Sequence, residues 1–388
     1  MGSKVPSGRT AQACISAGIL LLTLVAAEAF TRAYFPEQSQ LGDPRLLFFS
    51  QGDVVKNTPW GGYTYGPNRT IRSQLYVVTD PNGRRLVKVY DYMLKTNSYG
   101  MVQLHDPIQD KPAILLLGDS FTEGQGAAPW FYETETRWPS DGRYQILNGG
   151  VFGTGFGQWA PYYRNLSSAL KISKVVIIFI SDDWIRPLYQ LPPFMLECLK
   201  SSRNCTGSEL LYGIPDDAAE ADREIVRLVR LHAEYLENGA GQPRTLRDRI
   251  ALYRKLIRPI YMRARGYVRP VDRHEEVSFE ASRRALTDIA ASIGAENMIL
   301  IHLPQKEELA SGPSEIGLKG RDFVRHAGLT LVDGFAQCGL TPSDYLSHDG
   351  HPNGSGYHKI AVCVERIVRD AWHLQAPVAT DGAKPAMR

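Results

Sequence analysis

Five short apolar segments, separated by stretches with helical spacing, restrict this chain to a small set of folds. The segments cover residues 114–117, 144–147, 175–180, 298–303 and 329–332. Such runs are typical of strands that are buried on both faces. Because helical crossovers between such strands produce a parallel sheet, we predict an α/β fold. The expected architecture is a flavodoxin-like, doubly wound parallel sheet of about five strands with helices on both faces.

The first 33 residues predict a membrane segment. Lys4 and Arg9 precede an apolar run that is close to the ~20 residues needed to cross a bilayer. Positive charge on this flank places residues 1–10 in the cytoplasm and residues 11–33 in the membrane as an anchor. A signal peptide cleaved near residues 27–29 and a buried core helix are the alternatives. The expected location is the inner membrane, single-pass, with the C-terminal domain in the periplasm, or export if the signal is cleaved.

The rest of the chain divides by composition into three parts. Residues 34–110 contain a hairpin signal, Asp80-Pro81-Asn82-Gly83, and predict a β-rich juxtamembrane segment. Residues 111–374 form the main domain, with a helical insertion at about 187–273. Residues 375–388 predict a disordered tail.

Charge and cysteine content limit the partners and cofactors. The net charge of +3 is too small to indicate nucleic-acid binding. The basic stretch 244–273 indicates either a solvated helical face or a surface for acidic glycans or lipid headgroups. Cys198 with Cys205 and Cys338 with Cys363 predict two disulfides, with free buried thiols as the alternative. No cysteine pair has metal-ligand spacing and none is matched with a nearby histidine pair, so no metal is expected. No other cofactor is expected either.

Ser120 follows the first apolar strand directly, in the stretch ILLLGDSFTEG (114–124). In parallel sheets, ligands bind at the carboxyl ends of the strands. A serine there is also a common helix N-cap, so it is weak evidence alone. Asp349 and His351 precede the last predicted helix, and a serine nucleophile needs both a base and a group that orients the base.

Four motifs occur together in a meaningful order. GDS follows the first strand, NGGVFGTG the second and ISDD the third, and DGHPNGSGY precedes the last helix. This combination resembles the SGNH (GDSL-type) hydrolase family. NSYG at 97–100, LPQKEE after the fourth strand and the N-terminal apolar run resemble its membrane-anchored bacterial branch.

The resemblance implies roles for individual residues. Ser120 matches the nucleophile, His351 the general base and Asp349 the group that orients it. The backbone N–H groups of Ser120 and Gly153 match donors to the oxyanion of a tetrahedral intermediate. Asp119 is expected to brace the loop.

Two features depart from the family pattern. Asp182 stands where an asparagine amide usually donates to the oxyanion, and an ionised carboxylate only accepts. Either Asp182 is protonated, another group replaces it, or catalysis is weak. In addition, one residue separates Asp349 from His351 instead of two, and His348 occupies the usual acid position.

The predicted function is a serine esterase that removes acyl groups, in particular acetyl, from a cell-envelope carbohydrate or similar ester. The alternatives are a polysaccharide O-acetyltransferase and an inactive glycan-binding scaffold. Asn148, Asp183 and Trp184 are candidate substrate contacts. Asn148 can instead shape a turn, and Trp184 can instead pack beneath the loops.

Overall fold

The structure is a computed structural model that describes residues 46–51, 56–59, 62–78, 86–137, 142–186, 191–237 and 273–374. The chain divides into two compact units, one formed by 1–44 with 233–269 and the other by 45–232 with 270–388. All elements below lie in the second unit, except for the end of one helix. The predicted segments 1–10 and 11–33, the tail 375–388 and the basic stretch 244–273 except for its last residue lie outside the described residues.

The described residues contain eleven strands: β1 (Leu46–Gln51), β2 (Lys56–Asn57), β3 (Tyr63–Thr64), β4 (Thr70–Val78), β5 (Leu86–Lys95), β6 (Ala113–Gly118), β7 (Gln145–Gly150), β8 (Ile172–Phe179), β9 (Leu211–Ile214), β10 (Met298–His302) and β11 (Thr330–Asp333). The described α-helices are α1 (Ser120–Glu123), α2 (Phe131–Arg137), α3 (Phe156–Ser167), α4 (Pro193–Lys200), α5 (Ala218–Glu237), α6 (Arg273–Ile293), α7 (Glu308–Ser311), α8 (Glu315–His326), α9 (Gly334–Gln337) and α10 (Gly354–Trp372).

The central sheet has five strands in the order β11-β10-β8-β6-β7, and all neighbours are parallel. Each predicted apolar segment forms one of these strands. Numbered by their order along the chain, the strands run 2-1-3-4-5, which is the flavodoxin-like order. The predicted fold class is therefore confirmed.

Burial on both faces explains why these strands are continuously apolar. Leu115 and Leu117 of β6 belong to one core, and Ile114 and Leu116 belong to the core on the opposite face. All four side chains are fully buried. Each contributes roughly 2 kcal/mol of hydrophobic stabilisation, which a polar substitution would lose.

A second sheet combines two distant parts of the chain. Its order is β5-β4-β1-β9, with β9 parallel to β1 and the other pairs antiparallel. Strand β9 comes from the predicted insertion, whereas β1, β4 and β5 come from the β-rich segment predicted at 34–110, which is called the N-terminal β segment below. The insertion and the N-terminal β segment therefore share one sheet. Strands β4 and β5 are the arms of the predicted hairpin, whose tip lies outside the described residues.

Both predicted disulfides are present and confirmed. Cys198 bonds Cys205, beside the small core that α5 forms with β1 and β9. Cys338 at the end of α9 bonds Cys363 in α10. The second bond connects the helix that follows the last strand to the C-terminal helix.

Within the described parts of the chain, no helix has the length and apolar content needed to cross a bilayer. This finding contradicts the prediction of a single-pass inner-membrane protein with a periplasmic C-terminal domain, which we correct here. The physical reason is composition: the longest described helices, α5, α6 and α10, each carry both acidic and basic side chains.

Candidate active site

Ser120 lies just after the end of β6, the strand between the central strand β8 and the edge strand β7 of the parallel sheet. Strand β6 is buried throughout, and Ser120 is the first residue of α1 directly after it. Asp119 caps this helix, its Oδ1 accepting the Phe121 N–H at 2.9 Å. Gly124, with φ of 98°, ends the helix after one turn. The hydroxyl is thus presented at the carboxyl edge of the sheet.

His351 and Asp349 lie in a tight loop in front of α10. The Leu346 N–H donates to the His351 carbonyl oxygen at 2.9 Å, which closes the base of the loop. Lys306, in the segment after β10, donates from Nζ to the Leu346 carbonyl oxygen at 2.6 Å. Asn353 caps α10 through its side-chain oxygen. Backbone contacts on both sides therefore hold the imidazole in place.

The structure brings the three predicted side chains together. Ser120 Oγ lies 2.8 Å from His351 Nε2, and His351 Nδ1 lies 2.9 and 2.8 Å from the two Asp349 oxygens. Because a carboxylate only accepts hydrogen bonds, the proton of the neutral imidazole is on Nδ1. Nε2 is then free to accept the serine proton, which is the arrangement a hydroxyl nucleophile requires.

Arg186 ties together the loops around Ser120. Its Nη1 contacts Asp119 Oδ2 at 2.8 Å, Asp183 Oδ1 at 2.9 Å and the Thr154 carbonyl oxygen at 3.0 Å. Burial, together with the negative charge of Asp119, raises the pKa of Asp183 well above its usual value. Burial opposes the charge on Arg186, but Asp183 and Asp119 keep the guanidinium pKa above its usual value. Asp119 is therefore a brace for the loop.

Gly153 and Asp182 differ in how far they suit the predicted oxyanion roles. Gly153 is exposed and has φ of 68°, a conformation that favours glycine. Its neighbour Thr154 is joined through Arg186 to Asp119, so Gly153 lies in a loop beside Ser120. Asp182 is exposed, and its Oδ2 accepts from Gln305 Nε2 at 3.0 Å. This acceptor role is the reverse of the donor role that an oxyanion needs.

The three predicted substrate contacts lie in the protein interior. The side chains of Asn148, Asp183 and Trp184 are each 0% exposed. Asn148 donates to the Val102 and Thr122 carbonyl oxygens, and its Oδ1 accepts the Gly150 N–H. A side chain without exposed surface does not touch a bound ligand in this conformation, so these predictions are corrected. Asn148 shapes the strand end, and Trp184 packs under the loops.

In a second serine and histidine pair, Ser181 and His302, the hydrogen bond runs in the opposite direction, from the histidine to the serine. Arg321 Nε donates to His302 Nδ1 at 2.7 Å, so the imidazole proton is on Nε2, 3.1 Å from Ser181 Oγ. Burial, with the nearby Arg321 charge, lowers the pKa of His302 to about 3. This imidazole donates to Ser181 and has no free nitrogen to accept a proton from it. His302 is a core histidine.

Glu123 is a buried acid that the sequence reasoning did not single out. It lies in α1, is 1% exposed, and accepts the Phe152 N–H at 2.8 Å and the Tyr92 hydroxyl at 3.1 Å. Burial raises the pKa of Glu123 to about 7, although hydrogen bonds from Tyr65, Phe152 and Tyr92 oppose the shift. The only sequence signal was its place in the first motif, three residues after Ser120.

Comparisons with known proteins give matches at the level of structure. No family profile and no curated protein sequence matches the chain. Among solved structures, a lipase/acylhydrolase from Enterococcus faecalis matches at 14% identity and a TM-score of 0.33, over 69% of this chain and 100% of that one. A GDSL-like lipase from Bacteroides thetaiotaomicron matches at 13% and 0.29, over 69% and 93%.

A third match is a two-domain esterase described as active on acetylated mannans. It has 14% identity and a TM-score of 0.35, over 71% of this chain and 54% of that one. The structural neighbours are thus lipases, esterases and acylhydrolases, including proteins of the family that the motifs resemble.

Proposed function

We propose that this protein is a serine esterase that uses Ser120, His351 and Asp349. The observation that carries the proposal is the hydrogen-bonded series from Ser120 Oγ through the His351 imidazole to the Asp349 carboxylate. Ser120 Oγ attacks the ester carbonyl carbon while His351 Nε2 takes its proton. His351 then gives that proton to the leaving alkoxide, and the acyl group remains on Ser120.

The second half of the cycle releases the acyl group. A water molecule loses a proton to His351 Nε2 and attacks the acyl carbon, and Ser120 regains its proton as the acid leaves. Asp349 stays ionised and stabilises the imidazolium formed in each half. The N–H groups of Ser120 and Gly153 are the proposed donors to the oxyanion.

We propose a small acyl group, acetyl, on a carbohydrate as the substrate class. The hydrogen-bonded series Ser120–His351–Asp349 is called the relay below. Exposed side chains in the loops that carry the relay or follow β8 include the polar residues Asp182, Ser347 and His348. Among the described residues, the exposed large hydrophobic side chains all lie outside the loops that follow β6, β7, β8 and β10: Met93, Leu104, Ile108, Phe194, Leu210, Val226, Val277, Leu318 and Val362. A long lipid chain requires an apolar cleft, whereas a hydroxylated substrate suits a polar rim.

The test combines hydrolysis with covalent labelling. Wild type should hydrolyse p-nitrophenyl acetate faster than the octanoate ester, release acetate from acetylated mannan, and react with a fluorophosphonate probe. Ser120→Ala should lose all three activities. Ser181→Ala, which removes the other histidine-paired serine, should keep them. Labelling that persists in Ser120→Ala would contradict the proposal, and preference for the octanoate ester would contradict the substrate class.

A further inference from the structure

The Phe152–Gly153 peptide is held from one side by a tyrosine of the N-terminal β segment. Tyr63, on β3, is 1% exposed, and its hydroxyl donates to the Phe152 carbonyl oxygen. A Cβ atom built on Gly153 would come within 2.7 Å of Tyr63 Oη, so the hydroxyl lies against this glycine. In a planar trans peptide, the Phe152 C=O and the Gly153 N–H point in opposite directions. Tyr63 therefore sets the direction of the Gly153 N–H.

Glu123 holds the preceding peptide of the same loop. Its Oε2 accepts the Phe152 N–H at 2.8 Å, and its Oε1 accepts from Tyr92 Oη at 3.1 Å. Tyr92 lies on β5, and Tyr65, just after β3, also hydrogen-bonds the Glu123 carboxyl. Three tyrosines of the N-terminal β segment thus reach the loop that carries Gly153, either directly or through Glu123.

We propose that Tyr63 and Glu123 are positioning residues that fix the Gly153 N–H as an oxyanion donor, so that the N-terminal β segment completes the active site. This inference rests on the proposed function, because the donor role of Gly153 belongs to that mechanism. The Tyr63 hydrogen bond to the Phe152 carbonyl also polarises the peptide, and a polarised peptide has a stronger N–H donor.

The effect should appear in the chemical step. An oxyanion contact strengthens in the transition state, so its loss lowers kcat and leaves KM nearly unchanged. Removing one donor outright typically costs about 10² to 10³ in rate. Removing only the group that orients the donor should cost less, about tenfold in kcat for Tyr63→Phe.

The experiment measures kcat and KM for p-nitrophenyl acetate, together with thermal unfolding, in Tyr63→Phe and a matched control. The control is Tyr212→Phe, which also removes a buried tyrosine hydroxyl; Tyr212 lies on β9 and its hydroxyl contacts His232. We expect kcat to fall about tenfold in Tyr63→Phe, with KM within about twofold, and kcat to stay at the wild-type value in Tyr212→Phe.

A second pair of variants tests the other contact. Glu123→Gln keeps a side-chain oxygen that can accept the Phe152 N–H, and Glu123→Leu does not. Gln should retain most of kcat and Leu should lose it. An unchanged kcat in Tyr63→Phe, or an equal loss of kcat in Tyr212→Phe, would overturn the inference. The esterase proposal would still stand in that case if hydrolysis depends on Ser120. Hydrolysis that does not depend on Ser120 would overturn both.

Discussion

The stability of the protein should fall as the pH rises through the titration of Glu123. Burial raises its pKa from 4.5 to about 7, while Tyr65, the Phe152 N–H, Tyr92 and the His351 charge oppose the shift. Between these two pKa values, the folded protein holds a proton that the unfolded chain has released. The free energy of unfolding contributed by this group is therefore full below pH 4.5 and lost above pH 7.

The size of the effect follows from the shift. At 1.36 kcal/mol for each pKa unit, raising the pH from 5 to 8 should remove about 2.5 kcal/mol from the free energy of unfolding. Glu123→Gln cannot titrate at this position. The difference in unfolding free energy, wild type minus Glu123→Gln, should therefore fall by about 2.5 kcal/mol over this interval.

The assay is urea unfolding followed by tryptophan fluorescence at pH 5, 6, 7 and 8. Glu133→Gln is the matched control, because the Glu133 side chain is 69% exposed and its change should add no such pH dependence. A wild-type minus Glu123→Gln difference that stays constant with pH would refute the reasoning. A difference that grows with rising pH would show that Glu123 is stabilised as a carboxylate.

Three further predictions concern the relay, the buried charges and the disulfides. Asp349→Asn should lower kcat by roughly 10³- to 10⁴-fold in ester hydrolysis, because the amide no longer fixes the imidazole tautomer. Arg186→Met leaves Asp119 and Asp183 without a counter-charge and should lower the urea-unfolding free energy by about 3 kcal/mol. Loss of Cys338–Cys363, which spans 25 residues, should cost about 3.5 kcal/mol, against about 2.4 kcal/mol for Cys198–Cys205, which spans 7.

Each of these predictions has a control or a contradicting result. Asp349→Asn with kcat near wild type would show that another group orients His351. Arg283→Met breaks an exposed ion pair and should change stability by only about 0.5 kcal/mol, so an equal loss in both arginine variants would contradict the buried-charge account. Serine replacements of the two cysteine pairs that destabilise in the reverse order would contradict the loop-length argument.

The sequence allowed the sheet and the relay to be predicted because their signals are local. Strands buried on both faces are apolar at nearly every position, as in β6 and in β10, where only the last residue, His302, is polar. Parallel strands also bring their carboxyl ends to one edge, so a serine after β6 and a histidine before α10 could be expected there.

Other parts of the site depend on contacts between distant segments. Tyr63 meets Phe152, and Tyr92 meets Glu123, only after distant segments of the chain have packed, and no local pattern marks either pair. Trp184 follows a strand end and was a candidate substrate contact, with packing beneath the loops as the alternative; it packs against Phe156 and is 0% exposed. Trp184 ends a short 3₁₀ helix, Ser181–Trp184, and which face of that helix is buried depends on the helices that cover it.

Trapping the acyl-enzyme tests the central claim most directly. Wild type is mixed with p-nitrophenyl acetate, quenched in acid within the first turnover and digested for peptide mass spectrometry. The account predicts one acetyl group on Ser120, absent from Ser120→Ala and from wild type without ester. Acetyl on a different residue, or ester hydrolysis without any acetylated Ser120, would contradict it.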